Sequence, residues 1–314
     1  MTEIPRSTEA RTKTALEPLV SVRSHVPEDA MTAGLLGTKR SGHGVRIRDD
    51  GLIVTIGYVI SEADEIWIGS FDGMAAPGVV VGNDFQSGLA LIRPTIPLPG
   101  PTMRLGQAQE LNVGDAVTVA GSAGIEPQEV QAEVVARQEF AGRWEYLLED
   151  AVFTAPPHQH WSGAALIDPD GRLCGLGSLI IQGFEVDDEV RNVNMFVPIE
   201  LLVPVIDEIC DHGRRLGPPR PWLGVLAHDE DDEVTIVGVY HNSPADDARL
   251  RPGDIVLEVS GQPIFSLAHL FRSVWSLGDA GVDVHLTILR NSKRQKIVVR
   301  SSERAAFLRK GTVQ

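Results

Sequence analysis

Cysteine is nearly absent: Cys174 and Cys210 are the only two in 314 residues. Two thiols cannot staple a chain of this size, so the fold must rest on its apolar core. Cys174 sits in an apolar run and Cys210 near a helix end, which reads as packed rather than reactive thiols. Nowhere does the chain approach the ~18 consecutive apolar residues of a membrane-crossing helix, so membrane insertion is not expected. Positive charge is in deficit, with 28 Lys and Arg against 43 Asp and Glu and a net charge of -15. That balance argues against nucleic acid and anionic membrane surfaces as partners. The segment Met1–Ala10 lacks the apolar stretch of a signal peptide. Cytoplasmic residence is therefore expected, or periplasmic residence if a leader was removed.

What is present points to a β-rich globular protein. The hydrophobic fraction is 43%, with 31 glycines and 20 prolines to serve many turns. Residues 1–14 are polar and read as a loose N-terminus. From Leu16 onward short alternating runs recur between turn signals. Asp49-Asp50-Gly51 turns Val45–Arg48 back into Leu52–Val54. Further strands are expected at 65–70, 78–81, 89–93, 116–120, 129–136, 144–148, 164–167 and 173–181. Residues 199–212 carry a helical period, with Pro204 marking the true first turn and Gly213 as a cap. The domains expected are 15–213, a linker over 214–221 rich in Pro and Gly, a second domain over 222–303, and a tail over 304–314.

Three segments resemble the catalytic stations of trypsin-fold proteases of the HtrA/DegP type. Gly42-His43-Gly44, the hairpin after it, and Ile53-Val54-Thr55-Ile56-Gly57-Tyr58-Val59-Ile60 resemble the run ending in that family's His-Val-Ile signature. Val80–Leu91 resembles the strand that delivers the orienting aspartate. Trp161-Ser162-Gly163-Ala164-Ala165-Leu166 resembles the nucleophile motif Asn-Ser-Gly-Gly-Pro-Leu. The resemblance places Tyr58 at the general-base position, Gly88 at the aspartate position and Ser162 at the nucleophile. It implies a mainly β fold in which a trypsin-like pair of six-stranded β-barrels precedes a further domain. His160 falls where the family has the glycine of its oxyanion hole, in a loop longer than the family's.

The chemistry of these replacements is adverse to catalysis. A serine hydroxyl needs an adjacent base with a pKa near working pH. An unperturbed phenol titrates near pH ~10 and offers none. Glycine has no side chain with which to orient an imidazole. A histidine adopts the backbone conformation of the oxyanion glycine less readily. The expectation is a serine endopeptidase fold without a working triad, a pseudoprotease. The alternative is an active serine endopeptidase that uses Ser162 with His160 or His158 as a rewired base. A two-histidine metal site at the same pair lacks an identifiable third ligand, and no metal or cofactor is expected.

The second resemblance is to a PDZ domain (an α+β fold). It rests on Ser243-Pro244-Ala245, Leu250-Arg251-Pro252-Gly253-Asp254-Ile255-Val256 and Val259-Ser260-Gly261-Gln262-Pro263-Ile264, in that order, with Arg249 at a usual glycine. Residues 266–277 read as an amphipathic helix with Ser266 as N-cap and Gly278 as C-cap. By resemblance, Trp222, Leu223, Gly224 and Val225 form the carboxylate-binding loop and edge strand. Leu267, Leu270, Phe271 and Val274 line the helix side of a peptide groove, unless they only pack the core. The acidic run Asp229–Glu233 reads as a solvated loop or a steering patch for basic peptides, and His43 as structural.

The reading as a whole is an HtrA-like protein of quality control that binds protein C-termini or unfolded, extended peptides as adaptor, regulator or holdase. The resemblance also implies a homo-oligomer, a trimer built on N-terminal aromatics. Residues 1–57 contain no Phe, Tyr or Trp, which argues against that arrangement.

Overall fold

In a computed structural model of the protein, residues 16–123, 126–186 and 189–309 are described. They divide into two compact units. One spans 16–138 and 150–216; the other joins Glu139–Glu149 to Gly217–Arg309. The loose N-terminus expected over 1–14 lies outside the described residues.

The first unit holds two closed six-stranded barrels. Barrel one consists of β1 (Leu19–His25), β2 (Lys39–Arg46), β3 (Ile53–Ile56), β4 (Glu65–Ser70), β5 (Ala75–Asp84) and β6 (Leu89–Pro94). They close antiparallel in the order β1-β2-β3-β6-β5-β4. A short helix α1 (Ala33–Leu36) follows β1, and a one-turn helix α2 (Gly57–Ile60) follows β3. β3 is buried along its whole length, so it reads as a continuous apolar run and not as an alternation. Leu19, Leu52, Ile53, Leu89, Leu91 and Ile92 are fully buried, each worth roughly 1.5–3 kcal/mol relative to exposure.

Barrel two consists of β7 (Ala116–Ala123), β8 (Glu126–Gly142), β9 (Tyr146–Ala155), β10 (Ala165–Ile167), β11 (Leu173–Val186) and β12 (Glu189–Pro198). Its order is β10-β11-β12-β9-β8-β7. Two strands escaped the sequence reading. β1 ends on the polar run Arg23-Ser24-His25, and β12 opens on an exposed charged stretch before its buried end. The helix expected over 199–212 is broken. Two 3₁₀ turns, Ile199–Leu201 and Val203–Val205, precede α3 (Ile206–His212). Pro204 cannot donate a backbone hydrogen bond, so the regular helix starts after it. Gly213 caps α3 in the left-handed region at φ 74°.

The second unit is built on a sheet of order β13-β14-β15-β17-β18, with β16 paired to β15. The strands are β13 (Val225–Glu230), β14 (Glu233–Val239), β15 (Ile255–Val259), β16 (Gln262–Pro263), β17 (Asp283–Arg290) and β18 (Lys293–Arg300). α4 (Pro244–Asp247) and α5 (Leu267–Trp275) pack on it. Ser266 caps α5 by accepting the His269 N–H at 3.1 Å, as its sequence position requires. The C-cap is Ser276, whose N–H reaches the carbonyls of Arg272 and Val274; Gly278 lies beyond the helix. Arg249 stands at φ 59°, the left-handed conformation that explains a glycine at that place in related domains. Residues 304–309 do not form a separate tail, since Phe307 packs its ring 5.0 Å from that of Trp222.

Candidate functional sites

The first site lies in the barrel unit around Ser162. Gly163, at φ 71°, brings the chain against β2: a Cβ there would stand 2.1 Å from the His43 carbonyl oxygen. The Ser162 carbonyl accepts the His43 N–H at 2.8 Å, and His43 Nδ1 lies 3.0 Å from the same oxygen. His43 is thus a buried member of this site, 119 residues away in sequence. It grips the main chain of Ser162, not its hydroxyl. A cleft of about 570 Å³ opens over Ser21, Arg23, Ser41, Gln159, Trp161 and Ser162.

Tyr58, on α2, gives its phenolic proton to the Ser178 carbonyl at 2.9 Å. Burial raises its pKa from 10.0 to about 12, against smaller opposing influences from Ser162 and Trp161 beside it. Gly88, at φ 79°, accepts the Gly57 N–H at 2.8 Å and so sits directly beside α2. The three positions singled out in sequence are therefore neighbours. Among the described residues the buried Ser162 hydroxyl oxygen has no partner in hydrogen-bond geometry, although the Tyr58 phenol lies close enough for the two to influence each other.

A carboxylate does lie near Gly88, but it is committed elsewhere. Asp84, 1% exposed, accepts two bonds from Arg215, at 3.0 and 2.6 Å, and one from the Ser87 hydroxyl at 2.7 Å. Nothing in the sequence separated this pair from an ordinary loop acid and a linker arginine.

The His158–His160 loop turns one of its two imidazoles inward. His158 is buried, and its Nδ1 accepts the main-chain N–H of His160 at 3.0 Å. Its Nε2 therefore carries the proton and donates to the Gln128 carbonyl at 3.2 Å. Burial, more than the neighbouring His160, holds its pKa below the ordinary imidazole value. Both ring nitrogens are spent, and no imidazole hydrogen-bonds the Ser162 hydroxyl. The rewired dyad with His158 or His160 is absent from this arrangement. Among the described residues no third ligand gathers about the two histidines either. The main-chain N–H that His158 holds belongs to His160, two residues before Ser162.

The second site is the groove of the sheet unit. Gly224, at φ 85°, is held so close to Ser243 that a Cβ would stand 2.2 Å from its Cβ. The resulting loop aims three consecutive N–H groups at one point. The Glu145 carboxylate fills it, accepting from Leu223 at 2.9 Å, Gly224 at 2.7 Å and Val225 at 3.0 Å. Burial holds this carboxyl above the ordinary glutamate range, with the three N–H groups opposing the shift without cancelling it. Leu267, Leu270, Phe271 and Val274 are all buried in one apolar cluster with Leu223 and Val225, and Leu147 joins it. Of the acidic run, Asp229 has a structural task, accepting the Leu267 N–H at the start of α5. Asp231 and Asp232 form the β13–β14 turn, both at positive φ.

Residues 42–176 match the family model of the trypsin-like peptidase domain, and residues 221–300 that of the PDZ domain. Among curated proteins, the chain is 28% identical over 276 residues to a probable periplasmic serine endoprotease DegP-like of Pseudomonas putida, covering 82% of this chain and 55% of the relative. A protein of the same description from Halomonas elongata is 28% identical over 273 residues, with the same coverage. The chain thus spans about half the length of these relatives, 55%. Their names place them in the periplasm, so the expectation of cytoplasmic residence finds no support there. Among solved structures, the HtrA-type protease AlgW with a tripeptide aligns at TM-score 0.55 and 22% identity, covering 95% of this chain and 97% of that one. A serine endoprotease from Yersinia pestis aligns at TM-score 0.56 and 22% identity, covering 96% and 99%.

Proposed function

From the premise that this chain is a homologue of the DegP/HtrA-type proteases, a trypsin-like peptidase domain followed by a PDZ domain, we propose that it binds proteins without cutting them. The observation that carries this reading is the state of Ser162. Among the described residues its hydroxyl has no partner in hydrogen-bond geometry, and the residue at the general-base position is a phenol already bonded to the Ser178 carbonyl. In a well-studied serine protease, loss of the histidine alone costs on the order of 10⁶ in kcat. Withdrawal of one oxyanion donor costs roughly 10²–10³ more. Here Tyr58, Gly88 and His160 are each adverse, and their effects fall on one reaction.

The barrel unit then serves as a scaffold, and the PDZ domain takes C-terminal or extended segments of other proteins as an added strand. The role is that of adaptor, regulator or holdase in protein quality control, with periplasmic residence by analogy with the named relatives. Those relatives are named as proteases, so the decisive experiment is chemical. The purified protein is treated with a fluorophosphonate probe beside Ser162→Ala. Equal, background labelling of both is expected; labelling that disappears in the variant would overturn the pseudoprotease reading.

A further inference from the structure

The groove of the PDZ domain already has an occupant. The turn between β8 and β9, residues 143–145, carries Glu145 at φ 58°, and its side-chain carboxylate sits on the N–H groups of Leu223, Gly224 and Val225. Two residues earlier, the Arg143 carbonyl accepts the Ala227 N–H at 2.9 Å. Position 227 lies two residues beyond 225, so the segment runs antiparallel to β13, in the sense of an added strand. Leu147 is buried in the apolar cluster that holds Leu267, Leu270, Phe271 and Val274, and Ala141 packs against it. Arg272 of α5 pairs with both Glu139 and Glu149 at the base of the same hairpin.

Resting on the reading of this unit as a carboxylate-binding PDZ domain, we infer that the hairpin Glu139–Glu149 is the domain's internal ligand, with Glu145 standing in for a C-terminal carboxylate. An incoming peptide must displace it. Three convergent N–H groups hold one carboxylate, and the edge of β13 at Ala227 holds one carbonyl. Glu145 and a peptide terminus therefore exclude each other. The external ligand has to present a free carboxylate and an apolar side chain, since those are what the hairpin supplies. A terminal α-carboxyl is intrinsically a stronger acid than a glutamate side chain, so it keeps its charge more readily in a nest where burial opposes ionisation. Apparent affinity falls by the fraction of molecules in which the groove is open. A hairpin docked nine times in ten weakens peptide binding about tenfold.

The test uses the full chain as wild type, Glu145→Ala and Glu145→Gln. The probes are a fluorescent heptapeptide pool ending in a free valine carboxylate and the same pool as C-terminal amides. Amide hydrogen exchange over residues 223–227 is followed in parallel. Exchange there is expected to quicken about tenfold or more in Glu145→Ala as the carboxylate shield is lost. The free-acid pool should bind that variant about tenfold tighter, with amides binding none of the three proteins. Glu145→Gln, similar in shape but uncharged, should fall between the two and separates loss of the charge from a folding defect. Unchanged exchange in both variants would overturn the inference, whatever the peptides do. Quickened exchange with no peptide binding to any variant would leave the internal ligand standing and overturn the peptide-binding reading instead.

Discussion

The main-chain N–H of His160 points at Nδ1 of His158, 3.0 Å away. That single bond fixes the tautomer of a buried imidazole and, on the proposed reading of His160 as the oxyanion position, turns away the N–H that would stabilise an oxyanion. Reintroducing a base therefore does not rebuild the site. Tyr58→His is expected to leave casein hydrolysis at the background of Ser162→Ala. Adding Gly88→Asp places a non-glycine residue at φ 79°, which costs roughly 1–2 kcal/mol. The double variant should still fall about 10²–10³ below an active enzyme for want of the donor. Full activity in either variant would show that the loop turns readily.

Tyr58 makes a prediction in pH. Its phenol is raised from 10.0 to about 12, chiefly by burial. The unfolded chain loses this proton near 10 while the folded chain keeps it, so the folded state is the more protonated one in that interval. Stability from this group is complete below pH 10.0 and declines as pH rises toward about 12. Absorbance titration at the phenolate band should show one late tyrosine that is missing in Tyr58→Phe.

The Asp84–Arg215 pair should matter to stability out of proportion to an ordinary surface ion pair. Asp84 is 1% exposed and Arg215 28%. Removal of one partner from a buried pair costs about 3–5 kcal/mol because a charge is stranded. Arg215→Ala should lie near the lower end, about 3 kcal/mol, since water reaches its side of the pair. Urea unfolding measures it, and a change below half a unit of kcal/mol would place the pair among surface bridges of about 0–1 kcal/mol.

Gly163→Ala tests the tight seam beside Ser162. The new methyl would lie 2.1 Å from the His43 carbonyl oxygen at a backbone φ of 71°. Strain of this kind costs about 1–3 kcal/mol for the backbone alone, and the clash adds to it. A lowered Tm with unaltered peptide binding is the expected result.

Much of the architecture was legible in the chain. Alternation and turn chemistry located most strands, because in closed barrels each strand has an inner face with a period of two. The exceptions are physical: the charged opening of β12 imitates a loop, and the polar end of β1 hides an alternation that starts apolar. The neighbours Tyr58, Gly88 and Ser162 could be singled out from local phrases. Their partners could not. His43 meets Ser162 across 119 positions, Arg215 meets Asp84 across 131, and Glu145 meets Val225 across 80. Each is an ordinary polar residue in its own segment, and only closure of the chain gives it a role.

Trp222 and Ser302 exchange two backbone hydrogen bonds, at 2.9 and 3.0 Å, so the sheet unit is tied off where its long segment enters and leaves. The stretch 217–309 consequently resembles a separable module, the kind that is routinely excised for screening. Yet its occupant, Glu139–Glu149, is encoded far upstream and would stay behind. A fragment cut at the linker would carry a vacant nest and report an affinity that the whole protein does not express. For this chain, the convenient truncation and the native receptor are different molecules.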